Sequence, residues 1–205
     1  MNTRLLGAAG ATAAAFLLLT ACSEAPKTEA APESKPEAAA PTGPVTAKTA
    51  FWEMYKLAFK WSKDAEPLNM TAKVIPEMKF EDGKTGEWTG IFVSPSLKEA
   101  RTITYAVAGE HKGTAISSGQ PWYGGDAKSK AFLTGTFVVD SDAAFKTAAA
   151  KAADWVKKNP DKKVQMYLVS ESRFANPVWY VIWGDAAKFG YVAFIDATTG
   201  LALNK

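Results

Sequence analysis

Two apolar runs near the C-terminus, WYVIW at 179–183 and YVAFI at 191–195, give the strongest indication of the fold. Both runs are rich in aromatic and β-branched residues, which favour strands. The connection between them, GDAAKFG, is bounded by glycines, as is typical of a hairpin. The sequence DATTG at 196–200 then forms a turn, in which Gly200 can take a positive φ. We therefore expect two antiparallel strands near the end of the chain.

The residues just upstream predict a helix and one more strand. Ser141 or Asp142 can cap a helix that runs over about 143–158, and Asn159-Pro160 ends it. Residues 164–169, VQMYLV, are predicted to form a strand. One face of the helix carries apolar residues at helical spacing and is expected to face the core: Phe145, Ala148, Ala149, Ala152, and Trp155 or Val156.

The preceding part of the chain has a similar order of elements. Thr49 is a candidate N-cap for a helix that runs to about Asp64. The core-facing stripe of this helix contains Phe51, Met54, Tyr55, Ala58 and Trp61. The strands expected after it are 71–75, a hairpin of 78–80 with 88–93, then 101–107 and, after a glycine-rich loop at 109–125, 131–139.

The two halves, 48–140 and 141–205, resemble each other. Ala50-Phe51 and Trp61 have the same spacing as Ala144-Phe145 and Trp155, so we expect the two tryptophans to anchor equivalent helices in the core. The predicted fold class is α+β, an antiparallel sheet with two helices packed on one face. The similarity indicates a pseudo-duplicated helix-plus-strands unit. A chance likeness of two alanine- and tryptophan-rich helices is the alternative.

The second half also resembles a known family, the PepSY domain. The match covers about 143–203 and is carried by VWYV at 178–181 and YVAFIDATTGLAL at 191–203. The resemblance implies a PepSY- or cystatin-like unit that binds or restrains protein partners, including peptidases, and it offers no catalytic residues. The first half departs from the pattern, because no Asp-Ala-x-Thr-Gly turn follows Tyr105.

The N-terminus carries a secretory signal that ends at the only cysteine, Cys22. Residues 19–22, LTAC, follow an apolar run and resemble the lipobox of bacterial lipoproteins. That resemblance implies removal of residues 1–21 and acylation of Cys22, which would hold the protein on a lipid bilayer. Ser23 follows the cysteine, and the family's sorting pattern then favours the outer membrane, facing the periplasm. An ordinary secretory signal with a chance cysteine is the alternative.

Residues 22–47 are predicted to form a disordered tether. Proline, alanine, glutamate and lysine dominate this stretch, and it has no aromatic residue. Such a composition buries too little apolar surface to offset the entropy of ordering. We therefore expect a spacer between the lipid anchor and a folded domain that begins near residue 48.

Composition and motifs argue against several classes of function. The net charge of +3 is too small for a nucleic-acid-binding protein. His111, the only histidine, lies in a polar glycine-flanked loop, and no nucleophile elbow, Walker A or dinucleotide-binding motif is present. Asp140 and Asp142 are better explained as helix caps than as metal ligands. We expect no catalytic residue, no metal and no cofactor.

The best candidate for recognition is the loop at 118–125, SGQPWYGG. Trp122 and Tyr123 stand between glycines, where two large aromatic side chains could anchor a partner. The alternative is that both side chains fold back and seal the core. The expected function is a non-enzymatic envelope lipoprotein that binds a protein, peptide or glycan. A periplasmic hydrolase that uses acidic residues and a structural envelope component remain as alternatives.

Overall fold

The computed structural model describes residues 41–185, 187 and 189–204, with the backbone alone for Phe189. In this part of the chain two α-helices and nine strands occur in two successive sets. The first set comprises α1 (Ala47–Trp61), β1 (Glu66–Lys73), β2 (Glu87–Ser94), β3 (Glu99–Ala106), β4 (Gly113–Ile116) and β5 (Gln120–Pro121). The second set comprises α2 (Ser141–Lys158), β6 (Val164–Val169), β7 (Val178–Asp185), β8 (Phe189–Asp196) and β9 (Ala202–Leu203).

The nine strands of the described residues form one antiparallel sheet in the order β4-β3-β2-β1-β6-β7-β8-β9, with β5 paired beside β4 on β3. Strands β1 and β6 join the two halves at the centre, where Asn69–Thr71 pair with Tyr167–Val169. Each half therefore contributes a helix followed by a meander of strands, and its first strand lies at the middle of the sheet. All described residues belong to one compact unit.

Both helices pack on the same face of the sheet, so the α+β prediction is confirmed. Small residues on each helix, Ala50 and Ala58 on α1 and Ala144 and Ala148 on α2, are fully buried. They allow the helices to approach the large apolar side chains of the strands closely. The largest of these are Trp88, Phe92, Met70, Met166, Leu168 and Trp179, all with no more than 1% of their surface exposed.

The helices begin slightly earlier than their sequences predict. Thr46, not Thr49, is the N-cap of α1, and its hydroxyl accepts the Thr49 N–H. Asp140, one residue before the two expected candidates, caps α2. Val45 pairs with Thr85 through two backbone hydrogen bonds of 2.9 and 3.1 Å. The ordered domain thus includes Val45–Ala47, which composition alone had assigned to the tether.

Two tryptophans are less buried than expected. Trp61 and Trp155 pack only partly against the core at the C-terminal ends of the helices. The buried pair that occupies equivalent positions is instead Trp88 on β2 and Trp179 on β7. Trp183 on β7 also belongs to the core and is 3% exposed. The other residues predicted on the core-facing side of each helix do pack in or against the core.

Three of the expected strands in the first half are misplaced. The strand expected at 71–75 is the end of β1, which starts at Glu66 and includes Pro67. Residues 78–80 do not pair with β2, whose partners are β1 and β3. Residues 131–139 form no strand and instead contain a 3₁₀ turn at Thr134–Thr136. Their apolar character is explained by Phe132 and Phe137, which are buried.

Candidate functional site

The sequence-predicted recognition loop lies beside one outer part of the sheet. Strand β5 pairs with β3 at Glu99 and Ala100, and Trp122 follows it directly. The Trp122 N–H donates to the Lys98 carbonyl at 2.9 Å, which holds the loop against the turn between β2 and β3. Gly124 has a φ of 113°, a conformation that favours glycine. The backbone therefore places both aromatic side chains at the surface.

Tyr123 and Trp122 differ in exposure. Tyr123 is 85% exposed, whereas Trp122 is partly buried. Together with Pro95, Lys98 and Gly124 they line a shallow pocket of about 340 Å³. No carboxylate lines this pocket, so the pair of acids that most glycosidases use is not found there. Tyr123 therefore does not seal the core. The pocket, here called the aromatic pocket, presents an aromatic surface beside one cation.

A second, larger cavity lies near the centre of the sheet and was missed by the sequence analysis. It has a volume of about 660 Å³ and lies between the end of β1 and the start of β6. Its lining, here called the central groove, consists of Thr71, Ala72, Lys73, Val74, Lys79, Phe80, Lys163, Val164, Gln165, Met166 and Tyr167. The two sides of the groove lie about ninety residues apart in the chain, so no local pattern could reveal it.

A cluster of polar side chains in the first half surrounds Asp64. Its carboxylate accepts hydrogen bonds from the hydroxyls of Ser62, at 2.5 Å, and Ser94, at 2.7 Å, and from the Ser96 N–H at 2.8 Å. These bonds, that from Ser62 first, hold the pKa of Asp64 well below its usual range. Both serines donate to this carboxylate, and no histidine contacts them, so neither is arranged as an activated nucleophile. The cluster ties the end of α1 to β2.

In the second half, the sheet face that points away from the helices carries a layer of aromatic side chains with a charged group at its edge. Tyr180 stacks on Tyr167 with ring centroids 4.5 Å apart and meets Phe194 edge-on at 4.7 Å. The Tyr180 hydroxyl donates to Glu171 and accepts from Arg173. Burial, followed by the hydrogen bond to Glu171, raises the pKa of Tyr180 to about 12. The tyrosine therefore stays protonated at neutral pH and serves packing.

The DATTG turn has a structural explanation. One Asp196 oxygen accepts the N–H groups of Thr198 and Thr199, both at 2.8 Å, and Asn176 donates to the other oxygen at 3.0 Å. Burial acts to raise the pKa of Asp196, but these hydrogen bonds outweigh it and lower the pKa. Gly200 has a φ of 77°, as the sequence predicts. Asp196 thus fixes the backbone of this turn.

Residues 41–204, as far as the structure describes them, offer no metal centre, because no three His, Cys, Asp or Glu side chains come together. His111 lies exposed in a loop. None of the described helices is long and apolar enough to cross a membrane. Cys22, residues 1–21 and most of the predicted tether lie outside the described residues.

Comparisons with protein-family models, with curated proteins and with solved structures gave no match for this chain. The aromatic pocket and the central groove share no lining residue.

Proposed function

We propose that this chain is a lipid-anchored protein of a bacterial cell envelope whose folded domain binds a protein, peptide or glycan partner without catalysis. The anchor rests on Leu19-Thr20-Ala21-Cys22, and Ser23 favours the outer membrane, facing the periplasm. The PepSY-like second half is in keeping with a role in restraining protein partners. The observation that carries the binding role is the 85% exposure of Tyr123 beside Trp122, in a pocket without a carboxylate.

Exposed aromatic side chains suit this role for a physical reason. Trp and Tyr supply a large contact area and lose few rotamers on binding, so they dominate the energetics of many interfaces. Lys98 adds a cation at the edge of the pocket. A partner that stacks an aromatic or sugar ring on Tyr123 could also place an acceptor near this ammonium group.

The experiment is a pull-down from detergent-solubilised membranes with the wild-type protein and the double variant Trp122→Ala, Tyr123→Ala as baits. We expect partner capture to fall about tenfold, equivalent to about 1.4 kcal/mol. The matched control is Trp52→Ala, Phe59→Ala, which removes two aromatic side chains of α1 that are 50% and 42% exposed. Equal capture by the double variant at wild-type thermal stability would refute the proposal for this pocket.

The anchor has its own test. Replacing Cys22 by Ser removes the acceptor of the acyl chains, so the protein should leave the membrane pellet after a high-salt wash. A Cys22→Ser protein that stays in the washed pellet would contradict the lipid anchor. It would leave the pull-down result unaffected, because that experiment depends only on the folded domain.

A further inference from the structure

The central groove lies where two neighbouring strands separate. Strands β1 and β6 pair where Asn69–Thr71 lie opposite Tyr167–Val169, and this pairing ends at Thr71 and Tyr167. Strand β1 nevertheless continues to Lys73, and β6 begins at Val164. Each strand remains paired on its other side, to β2 and to β7. The sheet therefore has an opening at its centre, and the cavity of about 660 Å³ occupies it.

The backbone of β6 faces this opening at Val164. Successive residues of a strand direct their N–H and C=O groups to opposite neighbours. The Lys163 carbonyl accepts the Gly184 N–H at 2.8 Å. The backbone groups of Lys163 are therefore directed toward β7, and those of Val164 toward the groove. No strand of the described residues pairs with Val164 on that side. An unpaired strand edge of this kind is a template for an added strand.

The lining of the groove has two chemically different faces. Ala72, Phe80, Val164 and Met166 belong to the helix-side core, and Met166 is only 1% exposed. Lys73 has the same strand parity as Thr71, and Lys163 has the same parity as Gln165, so these polar residues point to the other face. A strand inserted here would place alternate side chains against an apolar wall and against lysines.

The charge of the groove is positive. Lys73, Lys79 and Lys163 are exposed, and none of them takes part in the ion pairs found among the described residues. No acidic residue lines the groove. Glu87 lies opposite Lys73 on β2, but the two are not among the ion pairs of the described residues. The lysines are therefore available to a carboxylate-bearing ligand.

From this geometry we propose that the central groove binds an extended peptide segment of a partner protein in which acidic and apolar residues alternate. The peptide pairs with the free backbone groups of Val164 on β6, with its acidic side chains toward Lys73 and Lys163. Its apolar side chains pack against Met166 and Phe80. This site is separate from the aromatic pocket, and the proposal goes beyond the proposed function because it names a different surface and its ligand.

The test uses fluorescence anisotropy with a fluorescein-labelled Val-Glu-Val-Glu-Val-Glu peptide and the full chain held in phosphatidylcholine nanodiscs. We expect saturable binding that weakens about tenfold in the variant Lys73→Gln, Lys163→Gln. The matched control, Lys128→Gln, Lys157→Gln, removes the same charge from exposed positions outside the groove and should change affinity less than about twofold. Circular dichroism of each variant verifies the fold.

Two altered probes separate the contributions. A peptide with Gln in place of Glu should bind about tenfold more weakly if the lysines recognise carboxylates. A peptide with Pro in place of the central Val lacks an N–H for the ladder and should lose affinity by a similar factor. The Trp122→Ala, Tyr123→Ala variant should bind the original peptide as the wild type does, which keeps this result independent of the pull-down.

Four outcomes would overturn the inference. They are no binding of the alternating peptide, equal binding by the Lys73→Gln, Lys163→Gln variant, undiminished binding of the proline peptide, and loss of binding in the aromatic-pocket variant. Oleate provides a competing class of anionic ligand. Saturable oleate binding without peptide binding would show that the groove accepts an amphiphile instead.

Discussion

At the scale of single residues, Trp88 and Trp179 have equivalent roles in the two halves. Both are fully buried, and their rings meet edge-on with centroids 6.1 Å apart. The Trp88 indole N–H donates to the Val45 carbonyl at 3.0 Å, and that of Trp179 donates to the Val139 carbonyl at 2.9 Å. Each carbonyl lies two residues before a helix. Each tryptophan therefore links the sheet to the entry of the helix in its own half.

The equivalence leads to a stability prediction. Trp88→Phe and Trp179→Phe each remove the indole bond to such a carbonyl and leave a smaller ring in the core, so each should reduce the free energy of unfolding by about 1–3 kcal/mol, although the Val45 carbonyl keeps the Thr85 N–H as a second donor. Urea denaturation measures the loss. The matched control Trp52→Phe, at a position 50% exposed, should stay within about 0.5 kcal/mol of the wild type. A Trp179→Phe protein with the wild-type midpoint would show that this bond contributes nothing net.

Asp64 leads to a prediction about pH. Its pKa is lowered in the folded state, mainly by the Ser62, Ser94 and Ser96 hydrogen bonds. A depressed carboxylate pKa stabilises the fold above the unfolded-state value of about 4 and ceases to do so as pH falls through the folded-state value. The difference in unfolding free energy between wild type and Asp64→Asn should therefore be constant from about pH 5 to 7 and shrink in more acidic solution.

Urea titrations at several pH values test this expectation. Asp161→Asn is the control, since Asp161 is exposed. A stability difference between wild type and Asp64→Asn that remained unchanged down to the most acidic pH at which the domain is folded would contradict the assignment.

At the scale of elements, the two helices share their N-terminal capping. One Asp140 oxygen accepts the Ser141 N–H at 2.7 Å and the Lys48 N–H at 2.9 Å. The Ser141 hydroxyl accepts the Ala47 N–H at 2.9 Å. Residues at the start of α2 therefore satisfy backbone donors in the first turn of α1, which would otherwise lack partners within the helix.

This arrangement predicts that Asp140→Ala destabilises more than loss of an ordinary cap. We expect a loss of about 2 kcal/mol, the upper part of the usual range, because donors of both helices lose the same acceptor. Asp142→Ala is the matched control, since Asp142 accepts only the Ala143 N–H at 2.7 Å, within α2. Thermal and urea unfolding measure both variants. Equal losses in the two variants would show that the contact between the helices adds nothing.

At the scale of the whole molecule, the two halves are not separate layers. They share one sheet through β1 and β6, and their helices contribute to one core that includes both Trp88 and Trp179. The duplication predicted from the sequence is in keeping with this order of elements. That 48–140 and 141–205 are two units stays a prediction, which unfolding experiments can test.

We expect the two halves to unfold together, because opening either would expose the shared core. Amide hydrogen exchange measured at increasing urea concentrations tests this, since a cooperative unit gives the same opening free energy for β2 and β7. The opening free energies of the slowest-exchanging amides in both strands should converge on the free energy of global unfolding. Loss of protection in one strand at clearly lower urea would show that the halves are independent units.

Much of the second half could be predicted from local signals. Strand β6 has the expected limits, the final hairpin forms as expected, and α2 ends at Lys158 with Asn159 as its C-cap. These features depend on caps, on glycine turns and on apolar periodicity, which act within a few residues. The class of fold followed from them, since two apolar helix stripes need a sheet face to cover them.

The first half shows where local signals are insufficient. Strand β1 contains Pro67 and shifts its register beside it, so its limits depend on pairing with β2 and β6 rather than on its own sequence. The apolar residues of 131–139 suggest a strand, but they serve burial of Phe132 and Phe137 in an irregular segment. Propensity alone cannot separate these two uses of apolar residues.

The order of elements in the second half, the candidate lipid anchor and the candidate aromatic loop could all be predicted from the sequence, because each depends on a short contiguous stretch. The tertiary structure alone decided that Tyr123 is exposed and that Trp88 and Trp179 are buried together. It also decided where β1 and β6 separate and so brought Lys73 and Lys163 to one groove. The pairing of the two tryptophans and the groove depend on contacts between residues about ninety positions apart, and such contacts form only when the chain folds.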